Sequence, residues 1–119
     1  MDKLDDAGKV YVFDLDGNLL TTITSPMPKA EAFFGCEGGV TIFQDMIIIG
    51  EYGADGESKA EGRAYVFAKE GNLLETLKAP EPSENAMYGE YVYAGRDVFA
   101  VYELGTVQGE YGAGRVMRF

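Results

Sequence analysis

The chain has 119 residues, and its 20 acidic and 10 basic side chains give a formal net charge of −10 at pH 7. A charge of this sign repels nucleic acid and anionic membrane surfaces, which attract Lys and Arg, so we expect neither as a partner. The sequence contains no His. This removes the commonest general base, the Ser-His and Cys-His nucleophile pairs, and most zinc sites.

The composition is that of a globular protein, with 46% hydrophobic residues and no long polar tract, and we expect one domain over residues 1–119. A lone Cys36 cannot form an internal disulfide, and a buried, inert thiol is predicted there. The opening residues 1–9 are acidic and polar, unlike a secretory signal, and no apolar run approaches membrane-spanning length. The sequence therefore predicts a soluble, cytoplasmic protein.

An internal duplication is visible along the chain. Residues 8–26 align with 62–80 without a gap and are identical at ten of nineteen positions. After a loss of two residues in the second copy, the match resumes at 45–51 against 97–103. Self-similarity at this spacing is typical of solenoids, propellers and arrays. We divide the domain into two repeats and the first strand of a third, at 8–61, 62–113 and 114–119.

Each repeat is predicted to contain four short strands. In the first repeat, residues 10–14 and 18–24 form a hairpin across an Asp-Gly turn. Residues 33–42 make a looser, Gly-interrupted strand, and residues 46–52 make a tight apolar one. The second repeat gives equivalents of these last two strands at 88–94 and 98–104.

The strands at 11–13 and 46–49 are apolar in both alternating sets of side chains, which indicates that neighbours cover both faces. A four-stranded antiparallel blade of a β-propeller meets that need, whereas an up-and-down barrel leaves its outer set facing water. Propellers close with roughly four to eight blades, and this chain supplies about two. We therefore predict an all-β propeller completed by homo-oligomerisation, with a single-chain β-sandwich or barrel as the alternative.

This order of segments resembles the FG-GAP type of β-propeller repeat. A Phe-Gly pair lies at 34–35, an apolar strand ends in Ile-Gly-Glu-Tyr at 49–52, and a Tyr-Val-Phe strand follows at 62–67. The resemblance implies propeller blades. Some members of that family hold calcium in an acidic loop between the first two strands of a blade. The corresponding residues here, 38–45 and 95–97, lack those ligands, so neither a metal nor another cofactor is predicted.

Three residues are candidates for ligand binding. Glu51 and Glu103 end the apolar strand in each repeat, and in a closed ring they would recur around one end, where clustered like charges raise a carboxyl pKa or collect a cation. The plainer alternative is a strand-end carboxylate that faces water or accepts backbone hydrogen bonds. Tyr111 is the third candidate, because it lies in a Gly-rich loop and tyrosine is favoured at binding surfaces.

Two acidic segments look like cation sites and are interpreted otherwise. Residues 14–18 are too short for a calcium loop and lack its distal Glu, so a hairpin turn is predicted. Residues 53–61, with Asp55, Glu57 and Glu61, are predicted to be a solvated connector.

The leading functional hypothesis is a non-catalytic binding or scaffold module that associates with itself and binds a small molecule or a protein. A carboxylate-dependent glycan hydrolase or lyase is the alternative from another class, and it depends on analogy with other propellers. A fragment of a longer repeat protein is the third possibility.

Overall fold

The computed structural model describes residues 7–36, 38–104, 106–107, 110–111 and 115–118, with side chains described through residue 104. This part of the chain is all-β, and its sheets are antiparallel. It contains no helix that is long and apolar enough to cross a bilayer. The strands are β1 (Val10–Phe13), β2 (Leu19–Ile23), β3 (Val40–Phe43), β4 (Met46–Glu51), β5 (Arg63–Ala68), β6 (Leu73–Leu77), β7 (Tyr91–Ala94), β8 (Phe99–Glu103), β9 (Thr106–Val107), β10 (Glu110–Tyr111) and β11 (Arg115–Arg118).

These strands form three principal sheets of two, four and three strands. Sheet A is the β1–β2 hairpin, sheet B has the order β3–β4–β5–β6, and sheet C has the order β11–β8–β7. A short β9–β10 hairpin stands apart. Sheet B is a four-stranded antiparallel unit that joins the last two strands of the first repeat to the first two of the second. Sheet A corresponds to its last two strands, and sheet C corresponds to its first three.

The strand registers of the sheets correspond as closely as the sequences do. Val10 pairs with Ile23 in sheet A and Ala64 pairs with Leu77 in sheet B, so both partners are shifted by 54 residues. Each hairpin also has a break in its pairing register between the shared Val and Phe. The β4–β5 pair of sheet B and the β8–β11 pair of sheet C coincide after a shift of 52 residues.

Sheet B is covered on both faces, as its double apolar pattern predicts. Ile47 and Ile49 point to one side, where they form a core with Ile23 of sheet A. Ile48 points to the other side, where it forms a second core with Val101 and further residues of sheet C. Sheets A and C therefore lie on opposite faces of sheet B.

Strand β1, whose apolar pattern also predicts neighbours on both faces, has one uncovered face within a single chain. Tyr11 and Phe13 are 54% and 57% exposed, although their equivalents in sheet B, Tyr65 and Phe67, are 1% and 3% exposed. The reason is that only one face of sheet A has a neighbour. Sheet B covers Val10, Val12 and Ile23, and nothing in the described part of the chain covers the other face.

Other differences from the predictions arise where the backbone turns. Only Val40–Phe43 of the predicted 33–42 strand is a continuous strand, because the Phe-Gly pair makes an isolated bridge, Phe34 to Glu51, followed by a turn. Cys36 lies in that turn and is exposed, so the prediction of a buried thiol is wrong. The β9–β10 hairpin falls in a region predicted to be a loop.

The Asp-Gly hairpin between β1 and β2 is present and is stabilised locally. Asp14 accepts hydrogen bonds through Oδ1 from the backbone amides of Asp16 and Asn18, both at 2.9 Å. Hydrogen bonds from Asn18 lower the pKa of the Asp14 carboxyl below its ordinary value, and the bond from its backbone amide has a larger effect than the bond from its side chain. An Asp at this position is therefore explained by the turn, as the sequence predicts.

Substitution at Gly50 tests the packing of sheet B against sheet C. A Cβ at this position would overlap the backbone carbonyl of Gly89, and backbone cannot move aside as a flexible side chain can. We expect Gly50→Ala to lower the free energy of unfolding by about 2 kcal/mol or more, as overpacking does in a well-packed core. Urea denaturation measures this change in the free energy of unfolding. Gly95→Ala is the control, because its nearest non-neighbouring atom is 3.3 Å away, and equal stability of the two variants would contradict this packing.

Candidate functional site

Glu51 ends β4, and the structure encloses its side chain completely, at 0% exposure. Its Oε1 accepts a hydrogen bond from the Ser25 hydroxyl at 3.0 Å and another from the Tyr65 hydroxyl at 2.8 Å. Ser25 follows the last strand of sheet A, whereas Tyr65 belongs to β5 of sheet B. The carboxylate thus links two sheets through side-chain hydroxyls.

Burial dominates the electrostatics of this cluster. It raises the pKa of Glu51 above its ordinary value of 4.5, against the opposing effects of the two hydroxyl donors and of the Arg63 and Lys29 charges. Burial, together with the charge of Glu51, raises the pKa of Tyr65 to about 12. Tyr65 therefore keeps its proton and remains a hydrogen-bond donor at neutral pH.

The equivalent carboxylate of the second repeat, Glu103, is also fully buried. Its neighbours differ. Tyr88 is enclosed beside it, and burial, followed by the charge of Glu103, raises the pKa of the Tyr88 hydroxyl. Tyr88 is the counterpart of Phe34, whereas the counterpart of Tyr65 in β11 is Met117. A tyrosine near the buried glutamate therefore comes from a different position in each repeat.

The connector at 53–61 contains a third buried carboxylate. Glu61 is 1% exposed and accepts a hydrogen bond through Oε1 from the Ser58 amide at 2.8 Å. Asp55 similarly accepts one from the Ala60 amide. The prediction of a solvated connector is therefore wrong for Glu61, since its carboxylate shapes the loop from inside. Among the described residues, no group of three or more Cys, Asp or Glu side chains could hold a metal ion.

The structure places the predicted site residues differently from the expected ring of accessible carboxylates. Glu51 and Glu103 hold equivalent positions, but both are enclosed, and Glu51 accepts its hydrogen bonds from side-chain hydroxyls. The side chain of Tyr111 lies outside the described part of the chain, and only its backbone pairing in β10 is defined. Ser25 carried no sequence signal, and Glu61 was noted only as part of an acidic connector, because the roles of both residues depend on the path of the connecting loops.

A surface cavity of about 410 Å³ lies beside Glu51, at the end of sheet B. Two of its lining side chains are cationic and one is acidic, which is unusual in a chain of net charge −10. Lys29 contacts the carbonyl oxygen of Gly53 at 3.3 Å and lies 3.7 Å from Asp55. The cavity is lined by Met27, Pro28, Lys29, Ala54, Asp55 and Arg63.

Arg63 retains unused hydrogen-bonding capacity at this cavity. Its Nη1 donates to the thioether sulfur of Met27 at 2.9 Å, which is a weak acceptor, and its buried Nε has no acceptor among the described residues. Glu51 stands opposite Arg63 in the β4–β5 pair but makes its hydrogen bonds to Tyr65 and Ser25 instead. Among the described residues, no carboxylate therefore lies within ion-pair distance of the guanidinium.

No protein-family model, curated protein or solved structure matches the chain. The resemblance to FG-GAP repeats therefore stays a prediction from short motifs.

The buried state of Glu51 predicts a pH dependence of stability. Because its pKa is raised on folding, the folded chain holds this proton more tightly than the unfolded chain. The contribution of Glu51 to the free energy of unfolding is therefore greatest below its ordinary pKa of 4.5, and it decreases as the pH rises through the raised pKa of the folded chain. Relative to wild type, Glu51→Gln should gain stability across this interval, as measured by urea denaturation at several pH values. Exposed Glu75→Gln is the control, and parallel wild-type and Glu51→Gln curves would contradict a raised pKa.

Removal of one hydroxyl tests the hydrogen bond that Tyr65 donates to Glu51 within sheet B. We expect Tyr65→Phe to lower the free energy of unfolding by about 1.5–3 kcal/mol, the usual range for a hydrogen bond to a charged group. Tyr93→Phe is the matched control, because Tyr93 is half exposed in β7. If both variants unfold at the same urea concentration, the Tyr65 hydrogen bond contributes nothing.

Proposed function

We propose that the chain is a non-catalytic binding module of the β-propeller type, that copies of it complete the ring, and that the cavity beside Arg63 binds a small organic carboxylate. The observation that carries the ligand class is the Arg63 guanidinium, which lines a mainly apolar cavity and has no carboxylate within ion-pair distance among the described residues.

The sheet arrangement supports the propeller part of this proposal. Sheet B is a four-stranded antiparallel sheet with a further sheet packed on each face, which is how blades follow one another around a propeller. The shared registers of sheets A, B and C support successive copies of one structural unit.

Exposed apolar surface supports completion of the ring by further copies. Val40 of β3 is 42% exposed, whereas its equivalent in β7, Val92, is 5% exposed because β3 lies against it. Tyr11 and Phe13 show the same contrast at the outer face of sheet A. Large apolar side chains exposed on these two faces favour an interaction with a partner that covers them.

The composition of the cavity supports a carboxylate ligand. Arginine pairs with carboxylates through two parallel hydrogen bonds, and a carboxylate would give the guanidinium a stronger acceptor than the Met27 thioether. Met27, Pro28 and Ala54 supply the apolar part of the lining. A cavity of this volume is within the usual range for small-molecule sites.

Glycan hydrolysis, the alternative from another class, has no specific observation in its favour. Such enzymes need two carboxyl groups that flank the sugar. Glu51 and Glu103 are both enclosed, so neither is exposed to a substrate.

Binding of hexanoate tests the proposed ligand class. We expect hexanoate to shift the backbone amide NMR signals around Ala54 and Arg63, with a Kd on the order of 1 mM for so small a ligand, and hexanamide to cause no such shifts. Arg63→Gln should abolish binding, whereas Arg96→Gln, in the exposed β7–β8 turn, should leave it unchanged. Equal binding of hexanoate and hexanamide to the wild-type chain would contradict a carboxylate site.

A further inference from the structure

We infer that β1 of a second copy takes the position beside β8 that β11 holds within one chain. The joined sheet then has the order β7–β8–β1–β2, with two strands from each copy, and Tyr11 of one copy reaches the buried Glu103 of the other. This inference rests on the proposed completion of the ring by copies, and it names the strands that make the contact.

The registers define which residues meet in the joined sheet. In sheet B, Glu51 stands opposite Arg63 and Ile49 stands opposite Tyr65. Strand β1 is the first-repeat equivalent of β5, and β8 is the second-repeat equivalent of β4. If β1 pairs with β8 in the same way, Tyr11 stands opposite Val101, two pairs from Glu103, as Tyr65 stands two pairs from Glu51 in sheet B.

Tyr11 adds a hydroxyl to the Glu103 site that β11 does not supply. In sheet B the hydroxyl of Tyr65 donates to Glu51 at 2.8 Å. The residue of β11 opposite Val101 is Met117, which has no hydroxyl. A tyrosine binds the carboxylate of Glu51 in sheet B, and β1 supplies a tyrosine at the equivalent position, whereas β11 has a methionine there.

The exchange also covers the apolar surfaces that one chain leaves open. Tyr11 and Phe13 of the second copy would pack on the first copy's sheet B, on the face that carries Ile48 and Val66. Within one chain, Tyr65 and Phe67 pack on sheet A in the same way. Strand β7 of the first copy would lie against Val40 of the second, just as β7 lies against β3 within one chain. One arrangement therefore covers both exposed faces.

The partner strand must come from another molecule. Sheets A and C lie on opposite faces of sheet B, so β1 cannot reach β8 of its own chain without removing the sheet between them. The joined sheet also has four strands in the order of sheet B, with β2 beside β1 as β6 lies beside β5, whereas sheet C of one chain has three. A second copy of this chain is the occupant that the registers fit.

Inter-chain disulfide formation tests the exchange directly. In sheet B, Ile48 stands opposite Val66, so the corresponding pair in the joined sheet is Ala100 of one copy and Val12 of the other. Directly opposed residues are close enough for a disulfide. In a Cys36→Ser background, an equimolar mixture of the Val12→Cys and Ala100→Cys chains should give a disulfide-linked heterodimer on oxidation. Mixing Val12→Cys with Asp97→Cys, which lies in an exposed turn, is the control and should not give it.

Association of the full chain separates the inference from the proposal on which it rests. In sedimentation velocity, Tyr11→Phe should weaken association about tenfold or more, while its circular dichroism spectrum stays that of the wild type. If the wild-type chain associates but the heterodimer does not form, the exchange is wrong and the oligomeric ring is not. If the wild-type chain does not associate at all, both are wrong.

Discussion

The rest of the structure depends on the fact that its central strands are apolar on both faces. Ile47 and Ile49 need a neighbour on one side of β4 and Ile48 needs one on the other, and sheets A and C provide these. Burial of such side chains is the main favourable term in folding. A stack of equivalent sheets can satisfy this need for every member except the two at its ends, so the same pattern that builds the interior leaves Tyr11 and Phe13 exposed on the outer face of sheet A.

The buried Glu51 fits this account as a link between sheets. A carboxylate is costly to enclose unless hydrogen bonds compensate, and Glu51 receives one from Ser25, which follows sheet A, and one from Tyr65 of sheet B. Burial still outweighs these bonds, since it raises the pKa of Glu51. The glutamate position recurs in the second repeat as the buried Glu103, whereas the tyrosine near it comes from a different position.

Much of the fold was predictable because the repeat and the strand patterns are local. The Asp-Gly hairpin, the four-stranded unit and the covered faces of β4 follow from residue spacing and alternation. What was not predictable depends on contacts between distant segments: the enclosure of Glu51 by Ser25 and Tyr65, the inward turn of Glu61, and the cavity at Arg63. The exposed turn at Cys36 was missed because its sequence reads as part of a strand.

The most direct test of the central claim is the solution mass of the chain, measured by light scattering coupled to size exclusion. One chain has a mass of 13.0 kDa. The account predicts a single species of two, three or four chains, because each copy brings two blades and propellers close with roughly four to eight. A stable, monodisperse species of one chain would contradict it, since the faces of sheets A and C would then remain exposed in solution.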